Sequence, residues 1–600
     1  MVYQAIDTPI CTGWLVVSPT LACRAGAFHC WVHHIRCACH AARPSRFEPP
    51  VTEQPTVSDL VADVCARHAD TVFGLMGNGN AFFTSNVTRR GMRYISARHE
   101  AGTVAMADAY YRASGRVAVA SVTYGAGFTN ALTPLAEAAK ARIPLVLVAG
   151  GVPAGGARPW DVNQDMVAAG LGVETLAVTC ETAASATERA WALAVRDSRP
   201  VVLAIPYDIA ALDAGPQQAP APVEQRVPPA VDGAATHRIA RQLSGAERPL
   251  IIGGRGAVEA AAGRALRRLG DGLGAFFATS AMARNLFGSP WDLGIAGGFA
   301  GVPAADIMRR ADVVLVVGAG LNTFQTRYGT LFADGATVIQ VDDRPEAAAP
   351  AATEFVHADA AALAAALLDA LPRLSGHGWR DGFPEVADRS LFAEPPAGEF
   401  APDGRLNPRA VATLLDAVLP EERTIVQDGG HFIGWAPMYC AVPDPQALMM
   451  VGTAFQTIGL GLPSAVGAAA ARPERLTVLV SGDGGALMGL ADLDTAVRTI
   501  ASGVMVVFND AAYGAELHQY AVRGLDDTAM QIEEVDFAAL AGAFGAHGTK
   551  MRSLADIGRL REWLDAGARG LFVLDVAVSQ SVVADYMRES MAPILAARAG

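Results

Sequence analysis

"SGDGGALMGLADLDTAVRTIASGVMVVFND" (residues 481–510) places two polar residues at the ends of two apolar, strand-like runs. The first run ends in Gly482-Asp483-Gly484-Gly485. The second, Val504 to Phe508, ends in Asn509-Asp510, so Asn509 lies 26 positions after Asp483. In open α/β sheets, ligands bind beyond the carboxyl ends of the strands. If these strands are neighbours, Asp483 and Asn509 converge. Oxygen ligands of this kind suit Mg²⁺, which takes few protein groups and leaves positions for phosphate oxygens and water. Gly484, Gly485 and Ala486 then open a helix whose free N–H groups and dipole favour an anion. A divalent ion beside a helix N-terminus makes a pyrophosphate site. The plainer alternative is a GDG turn and an Asn-Asp helix cap with no ligand.

Outward from this stretch, helix-like and strand-like segments alternate, which predicts parallel sheets covered by helices. Val57–His68 reads as a helix, 71–77 as a strand entering a glycine turn, and 99–115 as a helix ending at Gly115. Strands follow at 117–127, 144–150 and 200–205, with a helix at 129–140. The stretch 215–230 holds five prolines and reads as a linker. A second α/β unit has strands near 249–253, 313–317 and 337–341, with glycine turns "GGRG" (253–256) and "GAG" (318–320) that turn geometry alone explains. An irregular segment, about 374–406, leads to the third unit. The expected fold class is α/β, with three doubly wound parallel-sheet domains at 56–214, 231–373 and 407–590.

The chain of 600 residues is too long for one core. Its net charge of −13 is diffuse, and without a Lys/Arg block nucleic acid is not an expected partner. The uncharged run Pro445 to Ala471 is long enough to span a bilayer. Its prolines, glutamines and small residues indicate a buried loop and helix instead, so no membrane partner is expected. Of eight cysteines, Cys11, Cys23, Cys30, Cys37 and Cys39 crowd the first 39 residues. The sparse remainder fits a reduced, cytoplasmic protein. Residues 1–55 read as a disordered or wrongly assigned leader, with metal binding by "CWVHHIRCACH" (30–40) as the alternative.

GDG followed by Asn at this distance resembles the thiamine diphosphate signature. The chain from about 56 to 590 is similar to the acetolactate synthase and benzoylformate decarboxylase group of thiamine diphosphate enzymes. The resemblance implies pyrimidine-binding, central and diphosphate-binding domains in that order. It implies Mg²⁺ held by Asp483, Asn509 and the backbone carbonyl of Ala511. Within "ARHEAGTVAMADAYYRASGR" (97–116), Glu100 takes the place of the glutamate that donates a proton to N1′ of the cofactor's aminopyrimidine. Such a carboxyl is expected to be buried with a raised pKa. In "GTAFQTIGLGLPSAVGAA" (452–469), Ile458 matches the bulky residue that bends the cofactor, and the backbones of Gln456 and Ile458 the groups that bond its pyrimidine edge. In "DGGH" (428–431), Gly430 and His431 match residues near the diphosphate, as do Gly482, Gly484, Gly485 and Ala486. "TYGAGFTN" (123–130) matches the glycine turn beside the glutamate. The family's glutamate and diphosphate domain come from different subunits, which implies a homodimer or homotetramer.

Several positions depart from biosynthetic acetolactate synthase. Gln519 stands about where that enzyme has a tryptophan shaping the acceptor pocket, with Glu516 and His518 nearby. "RPWDVNQDM" (158–166) keeps Gln164 but lacks the preceding basic pair, and "GAGLNTFQTRYG" (318–329) matches the flavin-associated stretch poorly, which leaves FAD doubtful. His518 is expected on a loop closing over the cofactor, where it relays protons, or else is an ordinary loop histidine. The expected chemistry is decarboxylation of a 2-oxo acid followed by carboligation. Simple decarboxylation, a catalytically silent scaffold and a nucleotide-binding oxidoreductase are the alternatives.

Overall fold

The computed structural model describes residues 54–371, 378–393 and 397–591. The leader expected at 1–55 and its Cys/His cluster lie, but for its last two residues, outside the described residues. Three six-stranded sheets follow one another along the chain, and every strand pair is parallel. Strands are numbered here within each sheet, in chain order. The first sheet, from Thr71–Gly74 to Pro200–Pro206, has the order 2-1-3-4-6-5. The second, from Pro249–Gly253 to Glu354–His357, has the order 3-2-1-4-5-6. The third, from Arg423–Gln427 to Gly570–Ala577, repeats the order of the first. In all three the strand order reverses beside strand 1, and the loops at that point open the crevice where such sheets bind ligands.

The central strands are short apolar runs because helices cover both faces. Strand Leu476–Gly482 is buried throughout except for Gly482, and strand Ser502–Asn509 except for Ser502. Helix Glu100–Ser114 of the first unit packs on helix Gly461–Ala471 of the third, and their apolar faces share one core. The approach is close enough to need glycine: a Cβ on Gly467 would stand 2.1 Å from the carbonyl oxygen of Met106. The Pro445 to Ala471 run is therefore a loop, a two-residue strand and a buried helix. Among the described residues no helix is long and apolar enough to cross a membrane.

A buried ion-pair group braces the same contact. Arg112 pairs with Asp108 and with Glu137 at 3.2 Å, and all three side chains are at most 5% exposed. Glu137 also accepts the Phe455 N–H at 2.7 Å, which ties the 452–458 loop to the first unit. In the second sheet the turns at 253–256 and 318–320 pack backbone to backbone: the Gly254 N–H donates to Val317 O at 2.8 Å, and the Gly256 N–H to Gly318 O at 3.0 Å. A Cβ on Gly254 would stand 2.2 Å from Gly318 O, so this packing explains the glycines without a dinucleotide.

Candidate active site

The parallel register sets Gly482 opposite Phe508, so Asp483 and Asn509 leave adjacent strands side by side. The helix after the first strand is Asp483–Met488, capped by Gly482. Asp483 is 3% exposed and Asn509 0%. One Asp483 oxygen, Oδ1, accepts the Gly484 N–H at 2.8 Å, and the other, Oδ2, is buried without a hydrogen bond. The Asn509 amide nitrogen donates to Val535 O at 2.8 Å and to Asp575 Oδ1 at 2.9 Å, which fixes its Oδ1 as the free atom. Buried polar atoms are rarely left unpaired, because each costs about 1–3 kcal/mol. Two unpaired oxygens at neighbouring strand tips suit a divalent cation that takes its other ligands from phosphate and water.

Asp510 was not anticipated as part of the site. It is 1% exposed, and both carboxylate oxygens lack hydrogen bonds. Its carboxyl pKa is pushed up to about 8, by burial first and then by the charge of Asp483. Burial pushes Asp483 up to about 6. In the cofactor-free protein the folded state thus holds these protons more tightly than the unfolded chain does. Its stability should fall as pH rises from about 4 to 8. Asp510→Asn should remove the part of the fall above about pH 6; thermal melts at pH 5, 6.5 and 8 check this.

Ala511 behaves differently from the other expected ligands. It adopts a left-handed φ of 58°, and its carbonyl already accepts the Ile532 N–H at 2.9 Å and Gln580 Nε2 at 3.3 Å. It is not an open oxygen like those of Asp483 and Asn509.

Asp428, from the expected "DGGH" stretch but not itself anticipated, fastens the loops around this point. Its Oδ1 accepts the Gly429 N–H at 2.8 Å and the Gly459 N–H at 3.1 Å, and its Oδ2 accepts Ser481 Oγ at 3.0 Å. A Cβ on Gly485 would stand 2.7 Å from Asp428 Oδ2, so a glycine is required there. Ile458 is brought against this turn: its Cγ2 lies 2.5 Å from where a Gly429 Cβ would stand. Gln456 is exposed at a φ of 60°, with its side chain bonded to Thr453 O at 2.8 Å. Asp428→Ala strands three donors in a buried turn and should cost about 2–4 kcal/mol, read from urea denaturation.

His431 follows Gly430, whose φ is 91°. His431 is buried with neither ring nitrogen hydrogen-bonded, and its ring centroid lies 4.6 Å from that of His518. His518 is not on a loop as expected: it lies in helix Gly514–Tyr520, buried, with Nε2 unpaired. Burial, then the neighbouring His518, lowers the His431 pKa to about 3. Burial, then Arg588, lowers that of His518. Both rings are therefore held neutral.

Glu100 opens helix Glu100–Ser114 in the first turn. Its Oε2 accepts Asn130 Nδ2 at 2.9 Å, and Gly127 of the "TYGAGFTN" turn lies against its Oε1. It is partly exposed rather than buried as expected. Its place on the first turn leaves the carboxyl short of the packed part of that helix. Among the described residues no hydrogen bond joins it to Gln456, Ile458, Asp483 or Asn509 within the chain. Gln164 is a brace: its Oε1 accepts the Gly125 N–H at 3.1 Å, and its Nε2 donates to Gly150 O at 3.0 Å.

Three parallel sheets, with unpaired buried oxygens at the ligand-binding ends of the third, define an α/β protein with a candidate ligand site there. Comparison of the sequence with family models narrows this class. The thiamine pyrophosphate enzyme N-terminal TPP binding domain matches residues 55–171, the central domain 236–369 and the C-terminal TPP binding domain 428–576. The chain belongs to the thiamine pyrophosphate enzymes. Its relatives differ in chemistry. A probable 2-ketoarginine decarboxylase of Pseudomonas aeruginosa is 27% identical over 533 residues, covering 86% of this chain and 93% of that protein. A sulfoacetaldehyde acetyltransferase of Rhodobacter capsulatus is 28% identical over 588 residues, with coverage of 89% and 96%. An acetolactate synthase of Bacillus subtilis is 26% identical over 547 residues, with coverage of 87% and 93%.

Proposed function

We propose that the protein uses thiamine diphosphate and Mg²⁺ to decarboxylate a 2-oxo acid and join the remaining fragment to a second carbonyl, in the manner of an acetolactate synthase. The carrying observation is the pair of unpaired oxygens on Asp483 and Asn509 at adjacent strand tips. Bound there, thiamine diphosphate supplies a nucleophilic carbon and an electron sink. Asp483 and Asn509 would hold the ion, and the Ala511 carbonyl would join them on giving up its hydrogen bond from Gln580, with the Gly482–Ala486 turn and Gly430 close to the diphosphate. Residues 56–214, 231–373 and 407–590 serve as the pyrimidine-binding, central and diphosphate-binding domains. A catalytically silent scaffold has no use for buried, unpaired carboxylates, which lower stability unless a ligand meets them.

Glu100 holds a proton for the pyrimidine. Because no bond brings it to the diphosphate side of its own chain, we place it in the site of a second copy, in a homodimer or a larger even assembly. Subunit mixing tests this: Glu100→Gln and Asp483→Ala proteins, each inactive, should regain about a quarter of native activity when reassembled together. Unrestored activity counts against a shared site. Neutral His518, with Nε2 free, is placed to hold or pass a proton at the substrate. His518→Gln should lower kcat by about 10²-fold and leave cofactor affinity unchanged.

Simple decarboxylation is the second reading, favoured by Gln519 at the place of the acceptor-pocket tryptophan. Product analysis with a panel of 2-oxo acids, pyruvate first, with and without an aldehyde acceptor, separates the two. A hydroxyketone or acetolactate supports joining; free aldehyde alone supports decarboxylation; no turnover with cofactor bound counts against both. A reducing, cytoplasmic setting fits the free thiols of Cys65, Cys180 and Cys440.

A further inference from the structure

Five arginines, none of them at the sheet ends just described, converge on one cavity of about 280 Å³: Arg142, Arg196, Arg199, Arg226 and Arg344. They come from separate parts of the chain. Arg142 caps helix Leu132–Ala141 and adopts a left-handed φ of 58°, a conformation uncommon outside glycine. Arg196 and Arg199 flank the end of helix Ala183–Asp197. Arg226 belongs to the proline-rich linker. Arg344 lies just beyond strand Thr337–Asp342, at the carboxyl end of the second sheet, the side on which open parallel sheets bind ligands.

The acidic residues at the cavity do not balance these charges. Arg196 pairs with Asp197 at 2.7 Å, Arg226 with Asp343 at 2.8 Å, and Arg344 with Asp342 at 2.9 Å. Arg142 and Arg199 are in no ion pair among the described residues. Arg142 is half-buried, and its guanidinium donates only to the backbone oxygen of Asp197, at 3.1 Å. Clustered like charges repel, so this arrangement lowers stability until an anion enters it. Guanidinium forks match phosphate oxygens in both geometry and charge.

We propose that this seam between the first and second units binds a small phosphate-bearing anion, at a site separate from that of the cofactor. Burial, then the charges of Arg344, Arg199 and Arg226, lowers the pKa of Arg142. Glu346 at the cavity edge is held below its ordinary pKa, first by its own backbone N–H and then by Arg344, Arg142 and Arg199, so the field there is positive. The pocket holds one phosphate with a small organic group attached.

The test is calorimetry on enzyme saturated with thiamine diphosphate and Mg²⁺, so that the diphosphate site is filled. The probes are inorganic phosphate, ribose 5-phosphate and, as an uncharged control, ribose. Native protein should bind at least one phosphate probe saturably, more weakly as salt is raised, and give no heat with ribose. The variant Arg142→Gln/Arg199→Gln removes the two unpaired guanidiniums and strands no carboxylate. It should bind at least about tenfold more weakly, with basal turnover unchanged. Equal affinity for the two probes assigns the site to free phosphate; tighter ribose 5-phosphate assigns it to a phosphorylated metabolite. If the double variant melts early, the exposed Arg199→Gln alone should still weaken binding. Failure of every probe to bind native enzyme, or undiminished binding in a folded variant, overturns the proposal. Neither result bears on the 2-oxo acid chemistry.

Discussion

Replacing Glu100 by Gln is expected to lower kcat by about 10²–10⁴-fold while thiamine diphosphate and Mg²⁺ still bind. Gln keeps the size of the side chain and an oxygen that can accept from Asn130 Nδ2, which now bonds Oε2 at 2.9 Å. It removes the acidic proton. The loss should therefore fall on turnover, and cofactor affinity measured by fluorescence quenching should change little. Glu100→Asp separates charge from reach: it keeps the acid one methylene short, so most of the loss should persist. Near-native turnover in Glu100→Gln would end the assignment of this residue. Melting of the variant is expected to match the native protein, since a partly exposed first-turn residue contributes little packing.

The second large effect is on binding. Asp483→Ala should weaken Mg²⁺-dependent cofactor binding by more than the roughly 10–100-fold typical of groups that only orient a metal ligand. The sign on stability is opposite. Burial raises the Asp483 pKa to about 6, so near pH 8 its charge lowers the stability of the cofactor-free protein. Asp483→Asn relieves that charge at almost constant volume. Its cofactor-free form should melt higher than native at pH 8, yet gain much less on adding Mg²⁺ and cofactor. A residue with a purely structural role would lower both. Asn509→Ala adds a contrast: it removes the free oxygen and also strands Asp575 Oδ1, so both stability and binding should fall.

These outcomes rest on features of unequal visibility in the chain. Asp483 and Asn509 could be read beforehand because each ends a continuous apolar run, and turn residues after such a run mark the ligand side of a parallel sheet. Asp510 is as legible as Asn509, which it adjoins, although an Asn-Asp pair after a strand also suits a helix cap. Asp428 carried no local signal of its role, because its partners Gly459 and Ser481 lie 31 and 53 residues away. Several short strands were also missed, among them Arg93–Ser96, Glu174–Ala177 and Leu448–Met449. The first two, four residues each and partly exposed at an edge, show neither alternation nor an apolar run, and the third, though buried, is only two residues long.

The amino-acid sequence by itself determined the alternation of strands and helices, the glycine turns and the type of chemistry at two strand tips. Burial and turn geometry are local demands, satisfied within a few residues of where they arise. Only the tertiary structure decided that the first and third sheets share one strand order, since many apolar side chains fill the same volume and leave no repeat to read. Packing of helix Gly514–Tyr520 likewise put His518 beside His431, and the meeting of the linker with two units gathered the arginines around Arg142. Such contacts join groups tens to hundreds of residues apart, and folding alone brings them within reach.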